Sequence, residues 1–315
     1  MIEANIKNFK KRYLNYLNCK TDYDVKKIKC EICSSTKNTK IIDIISWSQN
    51  MYGYMPIVAC NFCGFVFQLY RFSKEFYETF YAKYYREKIF KNPNPSKKFI
   101  LDQKSRGIRL YNFLKKQKII KKKGSMLDVG CSSGLFLSPF IKRGWECFGN
   151  DPDKGYVDYG IKKFKLPIKT EQAENMQLKK KSLDLIIIMG SLEHCYDPNI
   201  VMKKCSIAAK KNCILVLEAR GNPQSQSKNY FNHNHHRYFS ENSMELMMIK
   251  YGFEPILSTS YPITGPTRKG GIYTIGIKKD KKIKLEKIII NGKRESVSSV
   301  VHKYKFFNET HKENR

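Results

Sequence analysis

The chain has 315 residues, 41% of them hydrophobic, enough for one α/β domain with a smaller appendage and a sizeable core. Its longest apolar runs, such as "LIIIM" at 185–189, are strand-length and fall far short of the roughly 20 residues a membrane span needs. The formal net charge of +31 rests on 48 Lys and only 11 Arg; nucleic-acid readers favour Arg forks, so a solvated surface is the first reading and a nucleic-acid surface the second.

The N-terminus is polar and charged, with no apolar signal core, so a soluble cytoplasmic protein is expected. In that compartment ten cysteines point to thiols or metal rather than disulfides. Residues 1–27 read as a basic amphipathic helix. Residues 28–72 hold two cysteine pairs, Cys30/Cys33 and Cys60/Cys63, in a C-x2-C-x26-C-x2-C pattern separated by β-type sequence. Two knuckles offering two thiolates each are what a tetrahedral zinc ion requires, and four thiolates leave no open position, so the metal would be structural. Gly64 after the second pair permits a left-handed turn that aims backbone N–H groups at sulfur. The other six cysteines show no such spacing and read as packed thiols.

Residues 73–122 form a helical linker or lid. A Tyr/Phe-rich helix over 73–90 starts at a Ser cap, two prolines break it at 91–98, and a second helix runs to 117. Over 123–279 strands and helices then alternate. Strands are expected at 125–129, 145–150, 182–189, 213–219, 253–261 and 271–279, and helices at 134–143, 153–164, 198–210 and 240–252. That order predicts a doubly wound, Rossmann-like, mostly parallel sheet. The tail, 280–315, is basic and polar and is expected to be loose.

In such a sheet ligands sit outside the carboxyl ends of the strands. "DVGCSSG" (128–134) lies at such an end, and the dinucleotide pattern G-x-G-x-x-G is absent from it. Asp128 would repel a pyrophosphate and attract a cation. Asp151 closes the second strand, 21 residues after Gly130, where it can accept both hydroxyls of a ribose. A ligand with a ribose, an ammonium and a sulfonium but no phosphate fits: S-adenosylmethionine.

At these residues the chain resembles the class I S-adenosylmethionine-dependent methyltransferases. "CFGNDPD" (147–153), "SLDLIIIMGSLEHCYDP" (182–198) and "HHRYFSENSMELMMIKYGFEP" (235–255) continue the likeness over about 123–278. The resemblance implies a cofactor site of Asp128, Gly130, Gly134, Asp151, Gln172, Ala173 and Gly190, with Gln172 standing where many relatives carry an acid. It also implies catalysis by His194 and His235 with Glu193 beside them. The alternative for Glu193 and His194 is capping of the following helix; His233 and His236 fall off the family's histidine position.

With "CGFVFQLYRFSKEFYETFYAKYY" (63–85), the cysteine region resembles the N-terminal module of some bacterial methyltransferases. They include sugar C-methyltransferases and enzymes of surface-polysaccharide synthesis. A methyltransferase acting on a nucleotide-linked or polysaccharide-precursor sugar is therefore the first expectation. A zinc-module RNA methyltransferase and a binding protein that has lost catalysis are the rivals.

Overall fold

The computed structural model describes residues 2–48, 51–90, 94–220, 230–259, 263, 270–279, 285–290 and 295–312. Helix α1 (Ile2–Tyr16) buries Ile6, Phe9, Tyr13 and Leu14, a stripe at helical spacing, and turns its lysines outward. Strands β1 (Val25–Lys27), β2 (Asn38–Ser48), β3 (Met51–Cys60), β4 (Val66–Gln68) and β5 (Tyr70–Phe72) follow. Helix α2 (Lys74–Thr79) runs on as a π-helix over Phe80–Phe90, and Ser96 caps α3 (Lys97–Lys116) by accepting from the Phe99 N–H.

The alternating part comprises β6 (Ser125–Val129), α4 (Ser138–Ile141), β7 (Glu146–Asp151), α5 (Lys154–Phe164), β8 (Ile168–Thr170) and a 3₁₀ turn at Ala173–Asn175. It continues through β9 (Leu183–Met189), α6 (Pro198–Ala208), β10 (Ala209–Ala219), β11 (Arg237–Tyr238), α7 (Glu241–Lys250), β12 (Phe253–Thr259) and β13 (Ile272–Lys278). Helices α8 (Leu285–Ile290) and α9 (Val297–Lys312) end it.

Seven strands form the larger sheet in the order β12-β13-β10-β9-β6-β7-β8. The pairs from β10 through β8 are all parallel, and β13 runs antiparallel to both its neighbours. Its middle strand, β9, carries Leu185–Ile188 with no exposed surface. A strand apolar on both faces can only be central, and each such side chain contributes about 1.5–3 kcal/mol on burial. One face is covered by α3 and α4. There Gly107 of α3 comes so close to the following loop that a Cβ would lie 2.4 Å from the Phe136 carbonyl oxygen.

The smaller sheet, β11-β4-β3-β2, is antiparallel. Its edge strand β11 comes from within the 123–279 segment, so the cysteine region and the larger domain share a sheet. Further bonds join them: Ser46 N–H donates to the Phe231 carbonyl (2.8 Å) and His233 N–H to the Ser46 carbonyl (2.8 Å).

Three expectations need correction. The helix expected over 134–143 is only Ser138–Ile141, because Pro139 has no N–H to give a longer helix and fits only a first turn. The expected strands missed β8 and β11, whose three and two residues are too short to show a period. The tail is not loose where it is described: α9 buries Val300 and Tyr304, and the Tyr304 ring lies 5.6 Å from that of Phe231. No described helix is long and apolar enough to cross a membrane.

Candidate active site and metal centre

The loop after β6 is wound tightly enough to tie three strand ends together. Gly130 and Cys131 N–H groups both donate to the Asn150 carbonyl at 2.9 Å. Ser132 donates its N–H to Asp151 Oδ2 (2.8 Å), and Asp153 N–H donates to Asp151 Oδ1 (2.9 Å). Ser191 Oγ donates to the Val129 carbonyl at 2.6 Å. Gly130 sits at φ +74° with its missing Cβ only 2.4 Å from the Ser191 Cβ, so both conformation and space demand glycine.

These ends floor a cavity of ≈ 340 Å³. Asp128 faces it, 2% exposed, with Oδ1 making no hydrogen bond. Burial, then the Asp151 charge, pushes the Asp128 carboxyl up to about 8 despite Arg106 nearby. Burial also lifts Asp151 to about 6, against the N–H groups it accepts. A cavity floored by an unpartnered carboxylate suits a cation, and Asp151 keeps lone pairs for hydroxyl donors. The residues therefore fit the aminoacyl and ribose parts of S-adenosylmethionine.

Of the cofactor residues expected from sequence, Asp128, Gly130, Asp151, Gln172, Ala173 and Gly190 line this cavity. Gly134 does not; it faces Ile168 and Leu166 in the core. His194 and His235 also line the cavity, their rings 4.9 Å apart. The His194 Nδ1 lies 2.7 Å from the Asn234 carbonyl, which can only accept, so the proton sits on Nδ1 and the lone pair on Nε2. The His235 Nδ1 lies 3.0 Å from Asn232 Nδ2 and 3.4 Å from the Tyr230 carbonyl, and Asn232 Oδ1 accepts from the Asn234 and His235 N–H groups. Glu193 is 3% exposed and lines a small adjoining void rather than this cavity. His233 and His236 are fully buried, and desolvation drives His233 down to about 3.

Sequence reasoning missed part of the wall. Tyr81, Tyr85 and Arg86 reach in from the π-helix, the segment expected as a linker or lid. Arg86 bonds Asp153 at 2.5 Å and stacks 3.8 Å from the Tyr156 ring centroid. Arg106 reaches in from α3, paired with Glu218 at the end of β10. The Tyr/Phe density of 77–85 was a signal of packing, but its direction was not readable. Asn232 and Asn234 come with the strap that leads into β11. That strap is held from the small sheet by Gln68, whose Nε2 donates to the Asn232 (2.9 Å), His233 (3.2 Å) and His235 (2.7 Å) carbonyls.

The four cysteines converge in one cluster that packs against core residues of the larger domain such as Leu127 and Leu192. Their sulfurs all lie within 4.8 Å of one another, with Cys30 and Cys63 at 3.5 Å and Cys33 and Cys60 at 3.4 Å. A tetrahedron with metal–sulfur bonds of about 2.3 Å spaces its sulfurs by about 3.8 Å, and a disulfide would bring them to about 2.05 Å. The cluster fits zinc. Contacts among the thiols lower Cys33 and Cys60 and, with burial, raise Cys30 and Cys63. Lys250 sets its ammonium beside the knuckle, donating to the Glu31 carbonyl at 2.7 Å.

A family model described as a methyltransferase domain matches residues 101–258, half of the chain. The ubiquinone biosynthesis O-methyltransferase of Pelagibacter ubique (strain HTCC1062) is 34% identical over 96 residues, 29% of this chain and 40% of the relative. Its namesake from Rhodopseudomonas palustris (strain HaA2) is 29% identical over 97 residues, 29% of this chain and 38% of the relative. The chain thus spans about two fifths of the length of the curated relatives it matches. A solved S-adenosylmethionine-dependent methyltransferase from Mesorhizobium loti is 11% identical with a TM-score of 0.43, covering 54% of this chain and 98% of that one. Another from Aquifex aeolicus is 15% identical with a TM-score of 0.42, covering 51% and 86%.

Proposed function

The chain belongs to the methyltransferase-domain family, and from that premise we propose that it moves the methyl group of S-adenosylmethionine to a hydroxyl of a small acceptor, a nucleotide-linked or polysaccharide-precursor sugar. The observation that supports this reading most is one cavity lined both by a buried carboxyl, Asp128, whose Oδ1 makes no hydrogen bond, and by two histidines whose rings lie 4.9 Å apart. When bound, the cofactor supplies an electrophilic methyl carbon on a sulfonium. Asp128 would hold its ammonium, Asp151 its ribose hydroxyls, and Gln172 and Ala173 would lie by its adenine. Gly130 and Gly190 would leave room for it beside the loop. Catalysis then needs an acceptor oxygen aimed at that carbon and relieved of its proton. His194 takes the proton, His235 orients the oxygen, and Asn232 and Asn234 add polar contacts around a ring. Glu193 acts through the backbone it shares with His194. The zinc held by Cys30, Cys33, Cys60 and Cys63 is structural.

A phenolic ring is the second reading of the acceptor. It is favoured by the names of the ubiquinone-pathway relatives and by the aromatic walls Tyr81 and Tyr85. A panel of labelled methyl transfer to nucleotide sugars, 3,4-dihydroxybenzoate and transfer RNA separates the readings. Label on a sugar supports the first and label on the catechol the second. Salt-sensitive label on RNA would overturn both, and cofactor binding with no transfer to any would favour a non-catalytic role.

A further inference from the structure

We propose that Glu31, inside the first cysteine knuckle, is a positioning residue for His194, acting through Arg71 and Arg237. This rests on the reading of His194 as the base. The segment 192–196 is a turn with no strand or helix of its own, so its carbonyls must find donors elsewhere. Two guanidiniums supply most of them, beside the His236 N–H, which donates to the Glu193 carbonyl at 3.1 Å. Arg237 Nη1 donates to the carbonyls of Leu192 (3.3 Å), Glu193 (3.3 Å) and Cys195 (2.5 Å), and its Nη2 donates to that of Tyr196 (2.9 Å). Arg71 Nη1 adds a second bond to Tyr196 at 2.8 Å. The carbonyls on both sides of His194 are thereby clamped.

Both cations are aimed by one carboxylate. Glu31 accepts from Arg71 Nη1 at 2.7 Å and from Arg237 Nε at 2.6 Å, and also meets Arg237 Nη2. Arg71 is 2% exposed, Arg237 1% and Glu31 9%, so water does not screen the network. A guanidinium is a rigid fork, and fixing one edge on Glu31 fixes where the other edge points. Glu31 is itself fixed by its neighbours in the chain, since Cys30 and Cys33 belong to the sulfur cluster. The cysteine knuckle is thereby linked to the turn that carries His194 through Glu31, Arg71 and Arg237.

The test uses the full zinc-loaded chain. Glu31→Gln removes the charge. Arg237→Lys is the second variant, which keeps the charge but loses the fork if Glu31→Gln fails to fold. Zinc content and S-adenosylmethionine affinity are measured beside histidine ring NMR, with kcat and KM on the acceptor from the panel above. The expected result is about one zinc per chain, unchanged cofactor affinity, displaced ring signals for His194 and His235, and an unmoved signal for His302 on α9. A kcat loss of about 10- to 100-fold should accompany it with KM for the cofactor retained. Unmoved His194 signals and unchanged kcat in Arg237→Lys would overturn the proposal. His194→Ala is run in parallel: normal kcat there sinks the base assignment alone, while displaced signals in the other variants still uphold the clamp.

Discussion

The two sheets reach the same cavity by opposite routes. The larger sheet delivers Asp128 and Asp151 locally, each at the end of its own strand, with a loop bound to the neighbouring strand end. The smaller sheet delivers the histidine strap through contacts between residues far apart in the chain: Gln68 with His235, Ser46 with His233, Glu31 with Arg237. A pocket half built by topology and half by long-range clamps should fail differently from its two sides. Loss on the first side should show as lost cofactor affinity, and loss on the second as lost turnover with the cofactor still bound.

The largest effect should come from breaking the second side at its cysteine cluster. Cys60→Ser removes one of four thiolates from a cluster buried beside Phe65 and Ile32. Since structural zinc supplies folding energy directly, a stability loss of at least about 4 kcal/mol is expected, with loss of zinc. Denaturant melts and metal analysis check it. A fully stable, metal-free variant would show that the cluster holds no structural ion.

On the first side, Gly130→Ala should cost about 2–4 kcal/mol. The new methyl would press on Ser191 at 2.4 Å from a left-handed backbone. Cofactor affinity should fall with it, while zinc content stays. An Ala variant that binds normally would mean the loop has room to move and is not a fixed floor.

That asymmetry also governs what was legible in the sequence. β6, its glycine loop and Asp151 announce themselves because strand, turn and next strand end are adjacent in the chain. The cysteine spacing announces a cluster of four thiols in the same way. β11 could not be read, since two residues have no period and their partner β4 lies some 170 positions earlier. The tail misled in the same way: its lysines read as solvated, yet Val300 and Tyr304 are buried in one cluster with β2 and β3 residues such as Ile45 and Met55. Arg71 and Arg237 were unremarkable as single basic residues. Only the fold shows that both turn inward onto Glu31.

A smaller effect follows from the carboxylates of the first side. In an unfolded chain an aspartate titrates near 3.9. In the cofactor-free fold Asp128 stands at about 8 and Asp151 at about 6. Both are raised, so their contribution to folding is fully present below about pH 4 and is lost as pH rises through these values. A bound ammonium needs Asp128 as the carboxylate. Cofactor affinity should therefore rise with pH from about 6 to 8, by at most about tenfold per unit, with proton release on binding. Calorimetry in two buffers of different ionisation heat measures both. Affinity flat across this range would remove Asp128 from the ammonium site.

The account turns on the division of labour between the two sheets, and one paired calorimetric titration addresses it. S-adenosylmethionine is titrated into wild type, Asp151→Ala and His235→Ala, with melting temperatures taken on the same samples. The prediction is a loss of about 1.5–3 kcal/mol of binding for Asp151→Ala and wild-type affinity for His235→Ala, both variants remaining folded. If His235→Ala loses as much affinity as Asp151→Ala, or if Asp151→Ala binds as wild type does, the division is contradicted.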